Sequence, residues 1–161
     1  MLLRNHVEWA LHCCGILGAV PKGKYLATKD LAEFHGIPKE YLSKALQALS
    51  RAGILENALG PTGGYRLAKP PDSISFLDIV EAIEGKGPAF RCTEIRKNNP
   101  CKKAGQTFTA KCTIAHIMLE AEDAWRAHLA NTSLADLGVM LGTAVPGDLL
   151  ARSHQWIQER V

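Results

Sequence analysis

Apolar residues recur at helical spacing over most of this 161-residue chain, and one short stretch near residue 60 reads as two strands around a Gly-rich tip. Together these predict a mainly α fold with a single small β-hairpin. The third observation is the order of the elements: two short helices come just before the hairpin, and the longest helical pattern follows it. That order predicts a winged helix-turn-helix and then a long dimerisation helix.

The first helix is expected over residues 4–20, with Val7, Leu11, Cys14, Leu17 and Gly18 on one face and Pro21-Lys22-Gly23 ending it. Thr28 is expected to cap a second helix over 28–35, which Gly36 stops. Pro38 is expected at the first position of a third helix, where a missing N–H costs nothing. Leu42, Ala45, Leu46 and Leu49 form its inner stripe, and Gly53 ends it.

Strands are expected at 54–58 and 65–68, on either side of Leu59-Gly60-Pro61-Thr62-Gly63-Gly64. Ser75 should cap a fourth helix over 76–84. A long helix is expected from about Cys112 to Ala130 and a short one over 134–141, with Gly142 and Pro146-Gly147 breaking the chain. A last amphipathic segment covers 148–159. This divides the chain into residues 1–72 (winged helix-turn-helix), 73–142 (loop and dimerisation helix) and 143–161 (a C-terminal helical segment).

A hydrophobic content of 47% with 22% charged residues fits a globular chain able to bury a core. The net charge of +3 permits nucleic-acid binding without arguing for it. No run of eighteen apolar residues occurs, so no membrane span is expected. Residues 1–6 lead directly into a helix containing Glu8 and His12, which is unlike a signal peptide, and a cytoplasmic location is expected. Thiols stay reduced there, and an odd set of five cysteines does not suggest a disulfide framework.

The outward face of the third helix carries Lys39, Tyr41, Ser43, Lys44 and Gln47, and the wing carries Thr62, Gly63 and Arg66. These are the candidate contacts to double-stranded DNA. The cations would bind phosphates, and Gln47 would read a base edge. No nucleophile–base pair and no phosphate loop occurs, so an enzyme is not expected.

Residues 90–116 contain Cys92, Cys101 and Cys112 in a stretch poor in core formers. A loop of that length inside a domain points to function or disorder, and thiolates suit zinc, Cu(I) or iron–sulfur clusters. No close Cys-x-x-Cys pair argues for a zinc ribbon. His116, one turn past Cys112, is a local candidate for a fourth ligand. Glu8 and His12 share one face of the first helix, as joint ligands or as an ordinary exposed pair worth a few tenths of a kcal/mol. Cys13 and Cys14 read as small apolar residues of the helix interior.

The strings Val7-Glu8-Trp9-Ala10-Leu11-His12-Cys13-Cys14, Leu49-Ser50-Arg51-Ala52-Gly53, Gly60-Pro61-Thr62-Gly63-Gly64-Tyr65, Cys92-Thr93-Glu94-Ile95-Arg96 and Thr132-Ser133-Leu134-Ala135-Asp136-Leu137 resemble the iron–sulfur winged-helix transcription regulators, the family of IscR, NsrR and RirA. The resemblance spans about residues 1–140 and is strongest to redox regulators within the family. It implies a homodimeric, DNA-binding redox sensor with a [2Fe–2S] cluster. The implied ligands are Cys92 and Cys112 of one subunit and His12 and Glu8 of the other, with Trp9 placed to feel the cluster's charge.

The chain departs from the wider family at Ala115, where a ligand His stands in IscR, and in the wide spacing of its thiols. Cys101 is therefore either a spare thiol or a ligand in a [4Fe–4S] sensor of nitric oxide or iron. A cluster-free regulator of the same fold, answering to a partner or metabolite, is the other alternative.

Overall fold

The structure, a computed structural model, describes residues 3–161; residues 1 and 2 of the expected first segment lie outside the described residues. Helix α1 (Asn5–Leu17) runs through the centre of the fold. Val7, Ala10, Cys13, Cys14 and Leu17 point inward from it. Neither cysteine has any exposed surface, and burial pushes the Cys13 thiol up to about 12 and the Cys14 thiol up further. These two thiols are packing groups.

Helices α2 (Thr28–His35) and α3 (Lys39–Arg51) form the helix-turn-helix. Gly36 joins them in the left-handed conformation, φ 64°, which a residue without Cβ adopts at no steric cost. Two expectations shift by one position. Ala27, not Thr28, is the N-cap of α2, and Pro38 is the N-cap of α3 rather than its first residue. Proline suits either site, because the orphan donors of a helix start lie within its first turn.

Leu42, Ala45, Leu46 and Leu49 of α3 enter the core beside Leu31, Leu26 and α1. Strands β1 (Leu55–Ala58) and β2 (Gly64–Leu67) pair antiparallel in the register Leu55–Leu67, Glu56–Arg66, Asn57–Tyr65 and Ala58–Gly64. Leu26 adds a third edge through reciprocal bonds with Tyr65 of 3.0 and 2.9 Å. That close approach requires glycine at 64, where φ is 153° and a Cβ would strike the Leu26 carbonyl. Gly63 likewise lies against the Ala58 carbonyl, so both glycines serve the hairpin itself.

A one-turn 3₁₀ segment, Pro71–Ser73, leads to α4 (Phe76–Glu84). The expected Ser75 cap is a full capping box with Asp78, and Ser133–Asp136 repeats it at the start of α6 (Leu134–Ala144). The two box serines also bridge each other, which joins these helix starts. Gly142 does not end α6, which continues to Ala144; the break falls at Val145-Pro146, where proline cannot continue a helix. Between them lies α5 (Thr113–Ala130), eighteen residues long, and α7 (Gly147–Gln158) closes the chain.

Helix α7 folds back onto α2. Trp156 meets Phe34 edge to face at 5.1 Å, Arg160 stacks on Trp156 at 3.8 Å, and Ile157 is buried. Arg160 also faces Asp30 at 3.8 Å and Glu33 at 3.5 Å.

Ile157→Ala should lower unfolding stability by about 2–5 kcal/mol, the range for deleting a buried branched side chain. Gly64→Ala should cost about 1–3 kcal/mol through forced strain. Denaturant unfolding of the three proteins checks both.

Candidate cluster site and nucleic-acid interface

The loop between α4 and α5 is pinned at its start by a charged network. Arg126 of α5 bonds Glu81 of α4 at 2.5 Å, Glu122 at 3.0 Å and the Gly87 carbonyl at 3.2 Å. Glu122 in turn accepts the Ala89 N–H at 3.0 Å. Guanidinium contact holds the Glu122 carboxyl below the usual carboxylate range. A single 3₁₀ segment, Ile95–Asn98, interrupts the loop.

Cys112 is the N-cap of α5. Its sulfur lies at the first turn, where the free N–H groups of Ala115 and Ile114 converge. Those amides, the neighbouring Cys92 thiol and Arg96 hold the Cys112 thiol below its ordinary value. Cys92, twenty positions earlier, is thus brought beside Cys112, and its sulfur faces the Glu94 N–H at 3.4 Å. Cys101 is exposed, and its N–H bonds Asn99 Oδ1 at 2.9 Å. His116 turns to Glu120, 3.6 Å away, and only its N–H reaches the Cys112 carbonyl.

Glu8 and His12 are exposed on one face of α1. Both line a cavity of about 680 Å³ whose other wall is apolar: Leu137 and Leu141 of α6, with Leu149, Leu150 and Ile157 of α7. Trp9 is half-buried against the core, its ring 5.2 Å from that of His6. Among the described residues, no three His, Cys, Asp or Glu side chains stand together in a metal-holding group. The structure therefore places two thiols on one surface and a carboxylate–imidazole pair on another.

His35, absent from the sequence-based candidates, stands next to this second pair. Its ring lies 5.5 Å from His12, and its buried Nε2 has no hydrogen-bond partner among the described residues. Burial, then the nearby His12, lowers its basicity. No local motif signals it, because the contact joins the end of α2 to the middle of α1.

Lys39, Tyr41, Lys44 and Gln47 are exposed along α3. Ser43 is half-buried, and its hydroxyl donates back to the Lys39 carbonyl at 2.8 Å. Thr62 is exposed at the wing. Arg66 is committed locally: it pairs with Glu56 across the hairpin and stacks on Tyr25 at 4.5 Å. A groove of about 410 Å³ runs between the wing and the start of α2, lined by Lys39, Gly63 and, unforeseen from sequence, Thr28 and Lys29. The first-turn amides of α2 open nearby, an arrangement that favours anions.

Among the described residues, no helix is long and apolar enough to cross a membrane.

The fold recurs in solved structures. CymR of B. subtilis, described as its global cysteine regulator, superposes with a TM-score of 0.70 at 21% identity, covering 87% of this chain and 98% of that one. IscR of T. potens gives a TM-score of 0.69 at 18% identity, covering 93% and 96%. Among curated relatives, the HTH-type transcriptional regulator NsrR of Bacillus subtilis is 29% identical over 137 residues, 85% of this chain and 90% of the relative. These relatives are named as transcription regulators, not enzymes. Residues 3–139 match the family model described as an iron-dependent transcriptional regulator. The chain belongs to the Rrf2 family of transcriptional regulators, and its winged helix-turn-helix is that family's DNA-binding fold.

Proposed function

We propose that the protein is a homodimeric regulator that senses redox state through a [2Fe–2S] cluster held between two subunits. Cys92 and Cys112 of one subunit and Glu8 and His12 of the other would be the ligands. The observation that carries this reading is the division of the donors: two sulfurs apposed at the start of α5, and two α1 donors facing a cavity elsewhere. The donor chemistry fits, since thiolate and imidazole both ligate iron–sulfur centres of this size. An exposed apolar face on α5 and α6, including Ile114, Ile117, Val139 and Met140, supports the dimer.

Such a cluster, when bound, supplies a one-electron change of charge. The protein's part is to place that change near the DNA-reading unit. Helix α1 packs against α3, and His12 abuts His35, the last residue of α2. A shift of α1 would therefore bear on both helices of the helix-turn-helix. Trp9, half-buried against the core, would be the aromatic that follows it. Two such units would read half-sites about one helical turn, roughly 34 Å, apart. Lys39, Lys44 and Lys29 would bind phosphates, with Gln47, Tyr41, Ser43 and Thr62 nearer the bases. The proposed roles of Gly63 and Arg66 are to shape and brace the wing that approaches the duplex.

A second reading, a cluster-free regulator answering to a metabolite, is favoured by the apolar cavity beside α1 and by the likeness to a cysteine regulator. Iron content separates the two.

Protein purified without oxygen should carry about two iron and two sulfide per chain and be coloured. Glu8→Ala and His12→Ala should change its visible spectrum without unfolding it, whereas Cys101→Ala should leave it unaltered. Colourless, iron-free protein that binds its operator in full would refute the cluster. Loss of colour in Cys101→Ala would favour the three-thiol [4Fe–4S] form.

In cluster-free protein, Cys112 should be alkylated by iodoacetamide faster at neutral pH than the cysteine of a short unstructured peptide. Its reactivity should persist to lower pH than the peptide's, because a lowered pKa keeps the thiolate down to lower pH. Mass spectrometry of timed samples reads both rates.

Lys44→Ala should weaken binding to mixed-sequence duplex and reduce the salt slope by about one, as loss of one phosphate contact requires. Fluorescence anisotropy over a salt series measures it.

A further inference from the structure

The loop's two thiols are twenty positions apart, on a segment with no strand and only one short turn of helix between them. Lysine and threonine are the commonest residues of that segment, and none of it is fully buried. A free chain of this length would spread the two sulfurs over tens of ångströms (roughly 5–6 Å times the square root of the residue number). Something specific must bring them together.

We propose that Arg96 is the positioning residue of the Cys92–Cys112 pair, its guanidinium tying the loop's outgoing arm to its returning arm. The inference rests on reading these two cysteines as the thiol half of the site.

Four contacts meet on this one side chain. On the outgoing arm it forms a two-pronged pair with Glu94, one prong at 2.7 Å. On the returning arm it donates to the Ala110 carbonyl at 2.9 Å and stacks over the Phe108 ring at 4.6 Å. Its charge also faces both sulfurs. Ala110 stands two residues before Cys112, and Glu94 two residues after Cys92, so the tie closes the loop immediately behind the thiols.

Glu94 itself has φ 55° and ψ 47°, the left-handed region that a non-glycine residue rarely occupies. That turn directs the Glu94 N–H to the Cys92 sulfur and its carboxylate to Arg96. The geometry uses all that distinguishes arginine from lysine: a planar fork for the carboxylate, a further N–H for the carbonyl, and a flat face for the ring. Lysine would keep the charge and lose the tie.

The test uses the reduced, metal-free full-length protein and so does not depend on the cluster. Phenylarsine oxide takes two neighbouring thiols: two As–S bonds form, the two thiol protons leave with the oxide oxygen as water, and arsenic stays trivalent. Its affinity depends on the effective concentration of one thiol at the other. In a Cys101→Ala background, Arg96→Gln and Arg96→Lys should both lower that affinity by about tenfold or more, through loss of effective concentration. Lys103→Gln, an exposed cation of the same loop, should leave it unchanged.

Iodoacetamide, which needs one thiol, should still label Cys92 and Cys112 in every variant, with Cys13 and Cys14 protected; this separates lost pairing from lost folding. Unchanged arsenical affinity in Arg96→Gln, or full recovery in Arg96→Lys, would overturn the assignment. An iron-free parent protein would instead overturn the cluster reading and leave the arsenical result to decide on Arg96.

Discussion

Helix α5 has eighteen residues, and a single chain buries only one of them, Ala115. The rest of the structure depends on that unmet requirement. An amphipathic helix in a finished fold covers an apolar stripe about a third of its circumference wide. Here Ile114, Ile117, Met118 and Leu119 remain exposed, as do Val139 and Met140 of α6. Covering such a surface is the main favourable term in association. The same helix begins at Cys112, so whatever covers α5 also approaches the thiols. Under the proposed assembly, dimer formation and completion of the site are one event.

The remainder of the chain holds two ends of the molecule in register. At one end, Arg126 fixes the start of the loop to α4, and Arg96 closes it behind the sulfurs. At the other, α1 contributes Glu8 and His12 outward and Val7, Ala10, Cys14 and Leu17 inward. A helix packed that tightly moves as a unit, because close-packed interiors transmit displacement rather than absorb it. Its neighbours include α3 and, through His12 and His35, the end of α2. The Glu8–His12 face and the helix-turn-helix are therefore joined through one shared helix.

Much of this is legible in the amino-acid sequence. The helix-turn-helix and hairpin follow from the Leu42–Leu49 stripe and the Gly-rich tip, local patterns with local causes. The two Ser–Asp capping boxes mark α4 and α6 for the same reason. The structure departs from local sequence pattern in two ways. Boundary shifts at Thr28, Pro38 and Gly142 came from signals that fit two adjacent positions equally well, or that tertiary packing overrides. The more serious gaps were non-local. Nothing in the spacing of Cys92 and Cys112 says that their thiols are neighbours. His35 and Arg96 gain their importance from partners brought close only by folding. The pairing of Arg66 with Glu56 is likewise set by the strand register, which the sequence pattern leaves open.

The central claim is that each site takes its thiols from one subunit and its Glu–His pair from the other. Co-expressing a Cys92→Ala/Cys112→Ala chain with a Glu8→Ala/His12→Ala chain, and isolating the mixed dimer without oxygen, tests it directly. A shared site leaves one complete ligand set in that dimer, and the account predicts half the iron and sulfide of the parent dimer, with the parent's visible spectrum. Sites confined within single chains would leave none intact, and a mixed dimer without iron would contradict the account.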